Sequence, residues 1–129
     1  VTSTPQDRRA RQPKLSFSYE RTESDGNEQF EVTPSPSGLR FRGALSAGST
    51  GWTLTARARR HRRTLYVYVT ARSGEPDSPG GLEDHRYEVD ISDVRPGRYA
   101  LCVHHVFILP NTTRMPDAVK VFERNVDIG

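Results

Sequence analysis

Cysteine is nearly absent from this chain: Cys102 stands alone. A single thiol cannot form an intramolecular disulfide, so the cross-linked framework of small secreted domains is excluded. No apolar run approaches the roughly 18 residues needed to span a membrane as a helix. There is no glycine-rich phosphate loop, no zinc-type spacing of cysteines and histidines, and no recognisable pair of catalytic carboxylates. No window carries a helical period, and Pro110 and Pro116 disfavour a helix late in the chain. Hydrophobic residues make up only 33% of the 129, a share that a polar unfolded segment would lower. The net charge is +3 with a pI near 9.4, far from the basic excess that would by itself argue for nucleic acid. Where the positive charges sit matters more than their sum.

What is present is alternation. Residues 1–13 (VTSTPQDRRARQP) have no apolar periodicity and are expected to form a disordered polar linker or tail. From residue 14 to 129 short runs with a period of two follow one another: Leu15, Phe17, Tyr19; Phe30, Val32; Leu39, Phe41, Leu45; Trp52, Leu54, Ala56, Ala58; Leu65, Val67, Val69, Ala71. Then come Tyr87, Val89, Ile91, followed by Tyr99, Leu101, Val103, Phe107, and a last run from Val119 and Phe122 to Ile128. Turn signals separate them, at residues 24–27 (SDGN), 48–51 and 73–81 (SGEPDSPGG). This pattern predicts one all-β domain, an antiparallel β-sandwich of about seven to eight strands.

The hydrophobic pattern proposes a register for one hairpin. With Arg60 to Arg63 as its turn, Ala58 faces Leu65, Ala56 faces Val67, Leu54 faces Val69 and Trp52 faces Ala71. Arg57 then lies opposite Tyr66, and Thr55 opposite Tyr68. A one-residue slip would set arginine and tyrosine against aliphatic side chains, so the inward face is strongly specified.

The segment Val94-Arg95-Pro96-Gly97-Arg98-Tyr99-Ala100-Leu101-Cys102-Val103 resembles the corner of fibronectin type III and other immunoglobulin-like modules, apolar-x-Pro-Gly-x-Tyr-x-apolar-x-Val. The resemblance covers residues 39–107 in layout and about ten residues in motif. It implies an immunoglobulin-like sandwich, a Tyr99 hydroxyl tied to the backbone of the corner, a buried Trp52 and a binding role outside the cytoplasm. The cysteine pair of antibody domains is missing, and no catalytic residues carry over.

Four groups of residues have chemical potential. The segment Arg57-Ala58-Arg59-Arg60-His61-Arg62-Arg63 concentrates five arginines at one hairpin tip, where turn geometry would favour Asn, Asp or Gly. Arginine there suits phosphate, sulfate or carboxylate partners. The plainer reading is a solvated tip that discourages edge pairing. Beside it, Thr53, Thr55, Arg57, Tyr66, Tyr68 and Thr70 share the outward face, where tyrosine and arginine make interface anchors, or simply reflect strand propensity. Cys102 and His104, with His105, Met115 and His85, suggest a cupredoxin-like metal site, but Cys102-x-His104 lies inside a strand, which fits a small buried thiol and ordinary strand histidines better. Asp77, Glu83, Asp84, Glu88, Asp90 and Asp93 lack a calcium-loop repeat and are expected to balance the arginines. Asn111-Thr112-Thr113 is a glycosylation sequon, meaningful only in a eukaryotic secretory protein.

The sequence therefore leads to an expected non-enzymatic binding module of a bacterial, extracytoplasmic kind (secreted, periplasmic or lipid-anchored). It needs no cofactor and meets an acidic protein, a polysaccharide or another anionic surface through Arg57, Arg59, Arg60, Arg62, Arg63, Tyr66 and Tyr68. A metal-binding sandwich using Cys102 and His104, and an enzyme without a local signature, are the alternatives.

Overall fold

A computed structural model describes residues 12–22, 30–48, 52–73, 82–108 and 118–129. The turn at 24–27, most of the segments at 48–51 and 73–81, the sequon, Met115 and residues 1–11 of the expected tail lie outside the described residues. Eight strands follow in order: β1 (Lys14–Thr22), β2 (Glu31–Ser35), β3 (Gly38–Gly48), β4 (Trp52–His61), β5 (Thr64–Ser73), β6 (Leu82–Ser92), β7 (Gly97–Ile108) and β8 (Ala118–Ile128). No helix occurs among the described residues. Sheet I has the order β1-β6-β3-β2 and sheet II the order β4-β5-β7-β8. The expected all-β sandwich is what forms. Among the described residues its ladders are antiparallel apart from one, the parallel pairing of β5 with β7.

The period of two decides which residues enter the core, because successive side chains of a strand point to opposite faces. Tyr87, Val89 and Ile91 of β6, Leu39, Phe41 and Leu45 of β3, and Leu65, Val67, Val69 and Ala71 of β5 are all buried. So are Tyr99, Leu101 and Val103 of β7. Parallel pairing sets Leu65 beside Leu101 and Val67 beside Val103, so the inner face of sheet II is a continuous aliphatic layer. Aromatic rings bridge the sheets at one end: Phe41 of sheet I lies 5.0 Å from Phe122 of sheet II, and Phe30 stacks on Phe41 at 5.9 Å. Trp52 is 7% exposed and meets Phe107 edge-on at 6.2 Å. The edge strand β1 covers less: Leu15 and Phe17 are partly buried and Tyr19 is 40% exposed.

β6 and β7 do not pair with each other. The chain crosses from sheet I to sheet II through the corner at residues 93–96, where Asp93 takes φ 65° and Val94 is buried with its N–H on Ser37 O at 2.9 Å. The Tyr99 hydroxyl donates to the Arg95 carbonyl at 2.9 Å, as expected from the sequence.

The β4–β5 hairpin departs from its expected register by two residues. Ala58 pairs with Val67, Ala56 with Val69, Leu54 with Ala71, Arg57 with Tyr68 and Arg59 with Tyr66. His61 pairs with Thr64, so the turn is only Arg62-Arg63. A two-residue slip leaves every side chain on its expected face, so the hydrophobic pattern cannot oppose it, whereas the shorter turn adds ladder pairs and matches strand twist. β8 carries a bulge opposite Val103/His104, and Val119 beyond it is 52% exposed.

Candidate functional site

One residue of the hairpin tip sits on backbone that does not favour it. Arg62 has φ 55°, the left-handed region where glycine or asparagine fits with least strain. The Arg60 guanidinium donates to the Arg62 carbonyl at 3.1 Å, and the Arg60 amide donates to Gln12 Oε1 at 2.7 Å. Arg63 supports the fold directly, since its carbonyl accepts the Ala100 N–H at 2.8 Å and its guanidinium lies 5.6 Å over the Tyr99 ring. The arginine tip thus rests against the tyrosine corner at the start of β7. The sequence pattern signals neither Gln12 nor this contact, since both join residues far apart in the chain.

On the outward face of sheet II the strand registers align Arg57, Tyr68, His104 and Lys120 in one row across four strands. The Arg57 guanidinium lies 5.3 Å over the Tyr68 ring, and His104 stacks on the same ring at 5.1 Å with only 20° between planes. Tyr68 is thus flanked by Arg57 from β4 and His104 from β7, the strands on either side of its own. The expected cation–π pair exists, but with Tyr68 in place of Tyr66, a direct consequence of the register. The neighbouring row runs Arg59, Tyr66, Cys102, Glu123. Burial and the nearby Lys120 charge lower the His104 pKa, which favours its neutral ring.

The cysteine and histidine set is divided by the sheet. Cys102 and His104 lie on the outer side of β7, where Cys102 is nonetheless buried, as expected of a small thiol, and His104 half-buried, while His105 and His85 are buried on the core side. The Cys102 thiol donates to Glu123 Oε2 at 3.3 Å, and Glu123 is also held by Lys120 at 2.9 Å. Burial, then this contact with Glu123, push the thiol pKa up, opposite to what a reactive cysteine needs. Among the described residues, no group of three or more histidine, cysteine or acidic side chains is placed to hold a metal ion.

The two sheets treat their arginines differently. On sheet I, Arg40 is paired with Asp90 at 2.8 Å and Glu88 at 3.2 Å, and Arg42 with Glu88 at 3.0 Å. Part of the acidic set thus balances arginines, but those of β3. Asp84 accepts a hydrogen bond from Ser46. Among the described residues, Arg57, Arg59, Arg60, Arg62 and Arg63 have no carboxylate within ion-pair distance. A depression of about 840 Å³ lies over sheet I, but its floor is crossed by the Arg42–Glu88 pair. A smaller cleft of about 350 Å³ is lined by Gln12, Arg57, Ala58, Arg59 and Tyr68, and its charged groups are all cationic. The smaller cleft is the better candidate, because its cations meet no carboxylate among the described residues.

No family model matches the chain, and neither a curated protein nor a solved structure is significantly similar to it.

Proposed function

We propose that the chain is a non-enzymatic binding module of immunoglobulin-like, fibronectin type III-like kind, which holds an anionic partner at the arginine hairpin and the adjoining face of sheet II. The observation that carries this reading is the contrast between sheets. Among the described residues, the arginines of β3 are neutralised by carboxylates and the five at the hairpin are not, and Arg62 stands at a left-handed φ of 55°. Residues that oppose local backbone preference without an evident structural gain point to function. Arginine offers bidentate donors to carboxylate, sulfate and phosphate. Stacking on Tyr68 limits the freedom of Arg57, so less entropy is lost when it binds.

The fibronectin-like assignment draws support from the Tyr99 hydroxyl on the Arg95 carbonyl and from the buried Trp52. The parallel β5–β7 ladder is a departure from an all-antiparallel layout. A binding rather than catalytic role accords with the protonated, Glu123-held Cys102 thiol. The extracytoplasmic setting rests on the motif resemblance and the polar residues 1–13.

The test is binding of heparin at low and high salt by the native chain and by Arg57→Ser/Arg59→Ser/Arg62→Asn. Native binding should weaken with salt, since exposed charges are screened over roughly 8 Å at physiological ionic strength. The triple variant should lose it while keeping its fold. Equal binding by the two proteins would refute the proposal.

A further inference from the structure

β4 is an edge strand of sheet II, laddered to β5 on one side and, among the described residues, to no strand on the other. The two-residue turn fixes which of its backbone groups face outward. His61 and Thr64 flank that turn and form the hydrogen-bonded pair that closes it. The amides and carbonyls of Arg60, and by alternation those of Ala58, Ala56 and Leu54, therefore point away from β5. The Arg60 amide agrees, since its partner is Gln12 Oε1 at 2.7 Å, outside the sheet. Among the described residues, nothing pairs with the outward groups of Ala58, Ala56 or Leu54.

Exposed edges are usually blunted by a proline, a bulge, a short strand, a cover or charged side chains. β1 approaches β4 from sheet I without laddering to it, and the charges on β4 are arginines, which repel a like-charged edge but attract an acidic strand. β4 is 10 residues long, has no proline, and pairs with β5 without a register shift. Its side chains alternate in a way that suits a partner. Arg57 and Arg59 line the outer side, while Ala56 and Ala58 line the inner side and are only partly buried. The 350 Å³ cleft lies against this edge at Arg57, Ala58 and Arg59, with Gln12 at its boundary.

We propose that the β4 edge accepts an extended acidic peptide as an added strand, with carboxylates at alternate positions on Arg57 and Arg59 and small apolar side chains between them over Ala56 and Ala58. The inference rests on the anion-binding role proposed for Arg57 and Arg59 and names the partner. Alternate residues lie roughly 6.6–7 Å apart in any strand, so acidic positions of the peptide stay in step with the two arginines. Main-chain hydrogen bonds to Ala58, Ala56 and Leu54 supply affinity, and the charges set register. A single-stranded nucleic acid fits less well, because Arg57 and His104 both pack on the Tyr68 ring and leave Tyr66 rather than a run of successive rings for its bases.

The experiment compares three probes: a peptide of alternating glutamate and valine, the same peptide N-methylated at alternate residues, and inorganic tripolyphosphate, which carries charge without amides. The proteins are the native chain, Ala58→Pro and Arg57→Ser/Arg59→Ser. Ala58→Pro removes an N–H that the β5 ladder does not use, a change edge strands tolerate. The native chain should bind the peptide and tripolyphosphate. N-methylation and Ala58→Pro should each weaken the peptide by about tenfold or more. Tripolyphosphate should bind Ala58→Pro as it binds the native chain, and the double arginine variant should lose both ligands. Should the N-methylated peptide bind as tightly as its parent, or tripolyphosphate bind and the peptide not, edge pairing is wrong while anion binding stands. If the native chain binds neither, both readings fail. The N-methylated peptide reads the same contact without altering the protein, which covers the case in which Ala58→Pro misfolds.

Discussion

The Tyr87 hydroxyl lies 2.7 Å from Nε2 of His105, inside the core and across the gap between the two sheets. Sheet I supplies the phenol and sheet II the imidazole. Gly43 makes the approach possible, because a Cβ there would collide with the Tyr87 ring and hydroxyl. The same burial that makes this bond effective makes a charged His105 costly. Its pKa is pushed down to about 4.

Stability should therefore fall on mild acidification. The unfolded chain takes a proton on His105 below about pH 6.5, while the folded chain refuses it until about pH 4. The stability linked to this group is complete above pH 6.5, is lost progressively as pH falls toward 4, and is level below that. The loss amounts to about 3 kcal/mol at 1.36 kcal/mol per pKa unit. Urea denaturation of the native chain and of His105→Gln at pH 7 and pH 4 isolates the contribution. The variant should lose about 3 kcal/mol less across the window, and parallel losses would refute the assignment.

Trp52→Ala should destabilise the domain by roughly 3–5 kcal/mol, the range for deleting a large buried side chain. Trp52 is 7% exposed and packs edge-on against Phe107, at the end of the core opposite the hairpin tip. A chemical denaturation midpoint unchanged by the substitution would mean that this end of the sandwich contributes little.

Arg62→Asn should raise stability on the order of 0.5–1 kcal/mol, because asparagine tolerates a left-handed backbone better than arginine does. The same variant should bind heparin more weakly, having lost one cation. Gain of stability with loss of binding is the expected signature of a residue kept for its charge. A loss of stability would show that the Arg62 side chain supports the turn.

Arg63→Ser and Arg59→Ser should behave differently although they remove the same charge. Arg63 lies over the Tyr99 ring at 5.6 Å, so its loss should cost about 0.5–1 kcal/mol. Arg59 is without such a contact among the described residues, and its replacement should leave stability within about 0.5 kcal/mol. Thermal melts of the two single variants make the comparison, and equal shifts would remove the distinction between them.

The sequence by itself determined the class of the fold and the composition of its core. Side-chain direction in a strand repeats every two residues, so alternation assigned Tyr87, Val89, Ile91, Leu101 and Val103 to the inside without any knowledge of their neighbours. It also located the corner, since Pro96-Gly97-x-Tyr99 is local chemistry acting over a few residues. That same period of two is blind to a two-residue slip and to strand order. Tertiary structure alone decided that Arg57 lies on Tyr68, that β5 runs parallel to β7, and that His104 completes the stack. Those outcomes depend on turn closure and on contacts between segments distant in the chain, where the energy is shared among many side chains and no short motif carries it.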